Sequence, residues 1–116
     1  DLGAGEILLI CVNEDGVKSG FDLKIVNNIS SKISIPLIVN GGAGSFHDIY
    51  ELIKECDISG VAISSLFHYN SSHLFAKEKK GIGNYYFARN FKGKHNKNII
   101  LELKEYLKRK KIDVRL

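Results

Sequence analysis

Three short segments of this 116-residue sequence are made of small or polar residues, two of them rich in glycine and the third a pair of hydroxyls. They are Asn13-Glu14-Asp15-Gly16-Val17-Lys18-Ser19-Gly20, Asn40-Gly41-Gly42-Ala43-Gly44 and Ser64-Ser65. Glycine tolerates positive φ and lets backbone N–H groups approach a ligand closely. A helix that starts directly after such a turn adds partial positive charge, so the natural guest is a phosphate. A tight strand-to-helix turn also needs glycine for steric reasons alone, so the Gly41–Gly44 segment by itself is a modest signal. Three such segments, each following an apolar run, make a stronger one. None is a Walker loop, because no Gly-Lys-Ser/Thr triplet closes the glycine segment.

The elements that would carry these segments alternate in period. Glu6 to Val12 is an apolar run that suits a strand buried on both faces, as parallel sheets require. Asp22 to Ser31 places Leu23, Ile25, Val26 and Ile29 in a helical stripe. Ile35 to Val39 reads as a second strand, with Pro36 at its first position, where no ladder donor is lost. Ser45 then suits an N-cap with Asp48 three residues on, ahead of a helix over Phe46 to Cys56 that sets Ile49, Leu52, Ile53 and Cys56 on one face. Gly60 to Ser64 is a third strand. The order β-α-β-α-β predicts a parallel sheet with right-handed crossovers, whose ligands sit at the C-terminal strand ends. Residues 70–98 read as an insertion with an aromatic cluster at Tyr85, Tyr86, Phe87 and Phe91. A last helix, Ile99 to Lys110, aligns Ile99, Leu103, Tyr106, Leu107 and Lys110, with Glu105 and Arg109 spaced to pair. The whole is read as one domain.

Composition narrows the class. Apolar residues make up 44%, enough for a core. No apolar run approaches ~18 residues, so no membrane span is expected, and no signal peptide is recognisable. The chain opens on Asp1 rather than Met, which suggests a cut start, and it reads as soluble and cytoplasmic. Cys11 and Cys56 lie in apolar contexts and are expected to be buried, reduced thiols. The net charge of +4 is uneven: residues 77–116 hold 13 Lys and Arg against 4 Asp and Glu. A nucleic-acid-binding module using Lys92, Lys94, His95 and Lys97 is the reading from another class, though a solvated cationic helix face explains much of the charge. Nucleic acid is therefore not the expected partner. No metal-ligand cluster and no cofactor motif is evident.

The motifs in order resemble a known family. Gly3-Ala4-Gly5-Glu6-Ile7-Leu8-Leu9, then Asp15-Gly16 with Lys18-Ser19-Gly20 and Asp22, then Gly41-Gly42-Ala43-Gly44, then Ser65-Leu66-Phe67-His68, are similar to successive motifs of the cyclase subunit of imidazole glycerol phosphate synthase. Leu103 to Lys108 with Val114-Arg115-Leu116 resembles that subunit's C-terminus.

The resemblance implies an α/β fold: three consecutive βα units, strands six to eight, of a (βα)8 TIM barrel. It implies a lyase in histidine biosynthesis that takes ammonia from a glutaminase partner and splits a ribulosyl phosphate intermediate. The products are imidazole glycerol phosphate and an aminoimidazole carboxamide nucleotide. The main acid–base aspartates would lie in barrel strands outside this chain. Asp15, Gly16, Gly42, Ser64 and Ser65 would form a phosphate half-site, with Asp15 also in a supporting catalytic role. Lys18 would reach over the site from its loop, and Glu6 would face the opposite mouth, where ammonia enters. Asp15 also suits an Asx-type loop, the serines a helix cap, Lys18 a solvated loop and Glu6 a structural ion pair. His68 is read as structural.

The sequence departs from the family pattern at Asn13, where an acid is usual, at Ile10 and Cys11, where hydroxyls are usual, and at Ser64, where alanine is usual. Residues 70–98 are expected to lack a counterpart in the histidine-pathway enzyme. They resemble a variant of the barrel found with surface-polysaccharide genes, which would supply ammonia for amidino sugars. That is the alternative function.

Overall fold

A computed structural model of the chain describes residues 3–13, 19–68, 70 and 98–115. They fall into two compact units, Asp1–Ser64 and Ser65–Leu116. The first contains β1 (Ile7–Ile10), α1 (Leu23–Ser30), β2 (Leu37–Asn40), α2 (Phe46–Glu55) and β3 (Gly60–Ala62). The strands are parallel in the order β1-β2-β3. The expected alternation is therefore present, with each strand one to three residues shorter than its apolar run. Pro36 stands just before β2 rather than in it, and its carbonyl accepts the Ile7 N–H at 2.9 Å.

Register follows from side-chain alternation. Ile7 pairs with Leu37, and Val39 pairs with Leu9 on one side and Val61 on the other. These side chains share the face covered by the helices, where Leu37, Val39, Val26 of α1, Leu52 of α2 and Cys56 form the core. Ile7, Leu9, Cys11, Leu23, Ile29 and Val61 pack against it. Fully burying one such aliphatic side chain stabilises the fold by about 1.5–3 kcal/mol. Both helices start on an acidic residue's hydrogen bonds. Asp22 caps α1, its Oδ1 accepting from the Lys24 and Ile25 N–H groups at 3.1 Å each. Ser45 caps α2 in a complete capping box with Asp48.

The expectation that the first strand is buried on both faces is corrected. Leu8 is 53% exposed, Ile10 46% and Val12 78%. Helices cover only one face of the sheet among the described residues, and Leu8 and Ile10 alternate onto the other. A parallel strand is buried twice only when a second layer or a closed barrel covers that face. Ile25, expected in the α1 stripe, is also 48% exposed, while Val26 on the same helix is fully buried. Cys11 is half-buried rather than buried, and Cys56 is buried; both are free thiols.

In the second unit, residues 65–68 are helical and α3 spans Ile99–Arg109. Asn98 caps α3, accepting the Leu101 N–H at 3.3 Å, and Leu103 and Leu107 are buried. The helix closes in a Schellman arrangement: Lys111 N–H donates to the Lys108 carbonyl and Ile112 N–H to the Leu107 carbonyl. Lys111 takes φ +63°, a conformation usually left to glycine. The expected Glu105–Arg109 pair is not closed, which costs little for two exposed side chains. The aromatic cluster and the lysines of the proposed nucleic-acid surface lie outside the described residues. No described helix is long and apolar enough to cross a membrane.

The exposed apolar face has a direct consequence. This chain expressed alone is expected to self-associate or to melt without cooperativity, since Leu8 and Ile10 are exposed and the outer edges of β1 and β3 have no strand partner among the described residues. Sedimentation and thermal melting check this; a monomer with a sharp cooperative transition is the contrary result.

Candidate functional site

The C-terminal ends of the strands meet on one rung. Ile10, Asn40 and Ala62 lie side by side, so Gly42 and Ser64 each sit two residues beyond it. The turn after β2 is shaped by backbone conformation. Gly41 has φ +91° and Gly42 φ +114°, a region in which side-chain-bearing residues are strained. Two successive glycines let the chain reverse abruptly from the buried strand into α2.

The turn is held from both sides. Upstream, the Gly20 N–H donates to the Gly42 carbonyl at 3.0 Å, tying the end of the first strand-end loop to the second. Gly20 is itself at φ +97°. Downstream, the Asp48 carboxylate accepts from the Gly44 N–H at 2.9 Å and the Ser45 N–H at 2.8 Å. The Ser45 hydroxyl in turn accepts the Asp48 N–H at 3.3 Å. The two amides just before α2, those of Gly44 and Ser45, are therefore occupied by the protein's own carboxylate. Gly42 and Ala43 are buried, and among the described residues their N–H groups take no protein acceptor. These are the donors that the turn offers to an anion.

Of the residues singled out from the sequence, Gly42 and Ser64 lie at neighbouring strand ends in the first unit, with Ser64 exposed. Ser65 opens the helical turn of the second unit. Asp15, Gly16 and Lys18 lie outside the described residues. Glu6 is exposed immediately before β1, at the opposite end of the sheet from the glycine turn. His68 is exposed. Sequence reasoning missed the Gly20–Gly42 tie and the grip of Asp48 on Gly44. The Ser45–Asp48 spacing was the available signal for the second, and nothing local signalled the first.

Two other features are not part of this site. A groove lined by Ser30, Ser34, Pro36, Asp57 and Ser59 lies where the chain enters β2 and β3, away from the glycine turn. Cys56 is buried in the core, where burial pushes its thiol up from the ordinary value and its Sγ–H faces the Leu23 carbonyl at 3.9 Å, an environment that disfavours the thiolate. No group of His, Cys, Asp and Glu among the described residues is placed to hold a metal ion.

Comparison with known proteins shows the family. Residues 1–73 match the family described as histidine biosynthesis protein. The protein named imidazole glycerol phosphate synthase subunit HisF from Pseudoalteromonas translucida is 46% identical over 70 residues, 60% of this chain and 27% of its own length. The protein of that name from Lactococcus lactis subsp. cremoris is 41% identical over 88 residues, 76% of this chain and 34% of its own. That from Lachnoclostridium phytofermentans is 38% identical over 116 residues, 100% of this chain and 35% of its own. The chain thus spans about a third of the length of these relatives.

The geometry of the turn sets a test. Gly42→Ala, in a barrel containing this chain, is expected to cost roughly 1–3 kcal/mol, because alanine is strained at φ +114°. It is also expected to speed hydrogen exchange at the Gly20 amide, which donates to the Gly42 carbonyl. Chemical denaturation and amide exchange read the two effects; unchanged Gly20 protection would show that the tie does not depend on the turn.

Proposed function

The chain belongs to the family of histidine biosynthesis proteins, and from that premise we propose that it is the C-terminal third of the cyclase subunit of imidazole glycerol phosphate synthase. In this reading β1, β2 and β3 are the sixth, seventh and eighth strands of a (βα)8 barrel. The remaining strands cover the exposed face of Leu8 and Ile10. The observation that carries the reading is the identity of 38% over the whole chain to a relative of that name. The buried amides of Gly42 and Ala43 at a C-terminal strand end support it, since that is where parallel α/β barrels bind their ligands.

The chemistry assigned to this segment is binding and orientation. One substrate phosphate is held by the Gly42 and Ser65 amides, with Gly16 and Ser64 beside it. Uncharged N–H donors in a buried turn bind an anion without the entropy cost of ordering long side chains. Asp15 contacts substrate from the first strand-end loop and supports the proton transfers, whose main acid and base lie on the other strands. Lys18 reaches the substrate from the same loop. Glu6, at the other end of the sheet, lines the mouth through which ammonia arrives from a glutaminase subunit. No cofactor or metal is assigned. The protein is read as cytoplasmic, its substrate a ribulosyl phosphate and its products imidazole glycerol phosphate and an aminoimidazole carboxamide nucleotide.

The experiment uses the complete barrel, with the remaining strands supplied in the same polypeptide or as a second one. With ammonium salt it is expected to release the aminoimidazole carboxamide nucleotide, and with glutamine only when a glutaminase is added. A barrel that folds and binds phosphate but never consumes the ribulosyl phosphate would sink the histidine-pathway assignment in favour of an ammonia-supplying role in surface-sugar synthesis. Gly42→Asp, which places a carboxylate at the turn, is expected to abolish measurable phosphosugar binding in calorimetry. Binding equal to wild type would remove the turn from the site. Asp15→Asn is expected to lower turnover, by less than the ~10²–10⁴-fold typical of a main acid or base, with an unchanged melting temperature. Wild-type turnover in that variant would make Asp15 a loop residue only.

A further inference from the structure

The turn that carries Gly42 has few anchors for its length. Three of its four residues, Gly41, Gly42 and Gly44, are glycines, and the first two sit at positive φ. Such a segment has many conformations open to it, and its amides converge on an anion only when it is held. The Gly20–Gly42 bond holds its upstream half. On the downstream side the hold comes from a single group, the Asp48 carboxylate. Its Oδ2 accepts from both Gly44 N–H and Ser45 N–H, at 2.9 and 2.8 Å.

That carboxylate is also an anion already placed at the α2 N-terminus. It occupies the Gly44 and Ser45 amides at the mouth of the helix, and its charge opposes a second anion at the same spot. A phosphate at this strand end is therefore received upstream, at Gly42 and Ala43, whose N–H groups take no protein acceptor among the described residues.

We propose that Asp48 is a positioning residue for phosphate binding: by clamping Gly44 and Ser45 it fixes the glycine turn so that the Gly42 and Ala43 amides face the anion. This rests on the phosphate site proposed above and adds to it a residue of α2 that does not touch the substrate. The two halves of the capping box separate this role from ordinary helix capping. Among the described residues Ser45 Oγ accepts only the Asp48 N–H, so Ser45→Ala weakens the cap and leaves the clamp on Gly44 in place. Asp48→Ala removes the clamp. Asp48→Asn keeps an oxygen able to accept both amides and removes the charge.

The test is made on the complete barrel, with inorganic phosphate as the probe in calorimetry and steady-state kinetics on the phosphorylated substrate. Asp48→Ala is expected to raise the phosphate Kd and the substrate KM about tenfold, the factor that one or two lost hydrogen bonds correspond to, with kcat within about twofold. Asp48→Asn is expected to restore most of the affinity. Ser45→Ala is expected to lower the melting temperature while leaving KM unchanged. Wild-type affinity in Asp48→Ala, tighter binding there, or an equal KM rise in Ser45→Ala each overturns the proposal. Tighter binding would mean that Asp48 only repels the anion, and an equal rise that the residue is merely a cap. A wild-type barrel that binds no inorganic phosphate overturns the phosphate site itself and this inference with it, whereas phosphate binding that is insensitive to Asp48 overturns the inference alone.

Discussion

Strand β2 is hydrogen-bonded along both edges, and its two inward side chains, Leu37 and Val39, are buried against Val26 of α1 and Leu52 of α2. That double restraint sets where the chain must turn. Shifting β2 by one residue would carry Leu37 and Val39 to the exposed face, so the register with Ile7 and Leu9 on one side and Val61 on the other is strongly specified. With the register set, Asn40 ends the ladder beside Ile10 and Ala62, and the next residues must reverse toward α2 within a few positions. Gly41 and Gly42 accommodate the reversal because they alone accept φ of +91° and +114° without strain. The candidate site follows from packing several residues away from it.

The two faces of the sheet divide the labour. The helix-covered face is nearly self-sufficient within the first unit, built from the burial of Val26, Leu37, Val39 and Leu52. The other face presents Leu8 and Ile10 to solvent among the described residues. Packing of the helix-covered face is encoded within the segment, whereas independent stability depends on what covers the open face. A parallel α/β barrel draws the groups of its site from the ends of several strands, which fits the reading proposed above of this segment as one part of a barrel.

The electrostatics at α2 refine a familiar expectation. A glycine turn leading into a helix is usually read as an anion site because the helix end supplies free N–H groups and positive charge. Here the Asp48 carboxylate already stands at the helix end, bonded to the Gly44 and Ser45 amides, and its negative charge opposes an anion there. The glycines allow the backbone shape, and the carboxylate selects one shape among those allowed.

What the sequence determined by itself was the alternation of strand and helix, the parallel order, the capping box at Ser45 and Asp48, and the family resemblance. Each is local or periodic: apolar runs of strand length, a stripe at helical spacing that buries Ile49 and Leu52, a hydroxyl three residues before an acid. Motif order carried the family, and the match over residues 1–73 bears it out. Tertiary structure decided the rest. It exposed Leu8, Ile10 and Ile25, because burial depends on which neighbours cover a face and an apolar run does not name them. It put Lys111 rather than a glycine in the left-handed closing position of α3, because the carbonyls of Leu107 and Lys108 required donors there. It joined Gly20 to Gly42, 22 positions apart in sequence, and left the Gly42 and Ala43 amides at the strand end. No local pattern encodes such a bond. It exists because packing of α1 and β2 brings two loop ends within 3.0 Å, and hydrogen bonds between loops are set by that distance, not by residue type.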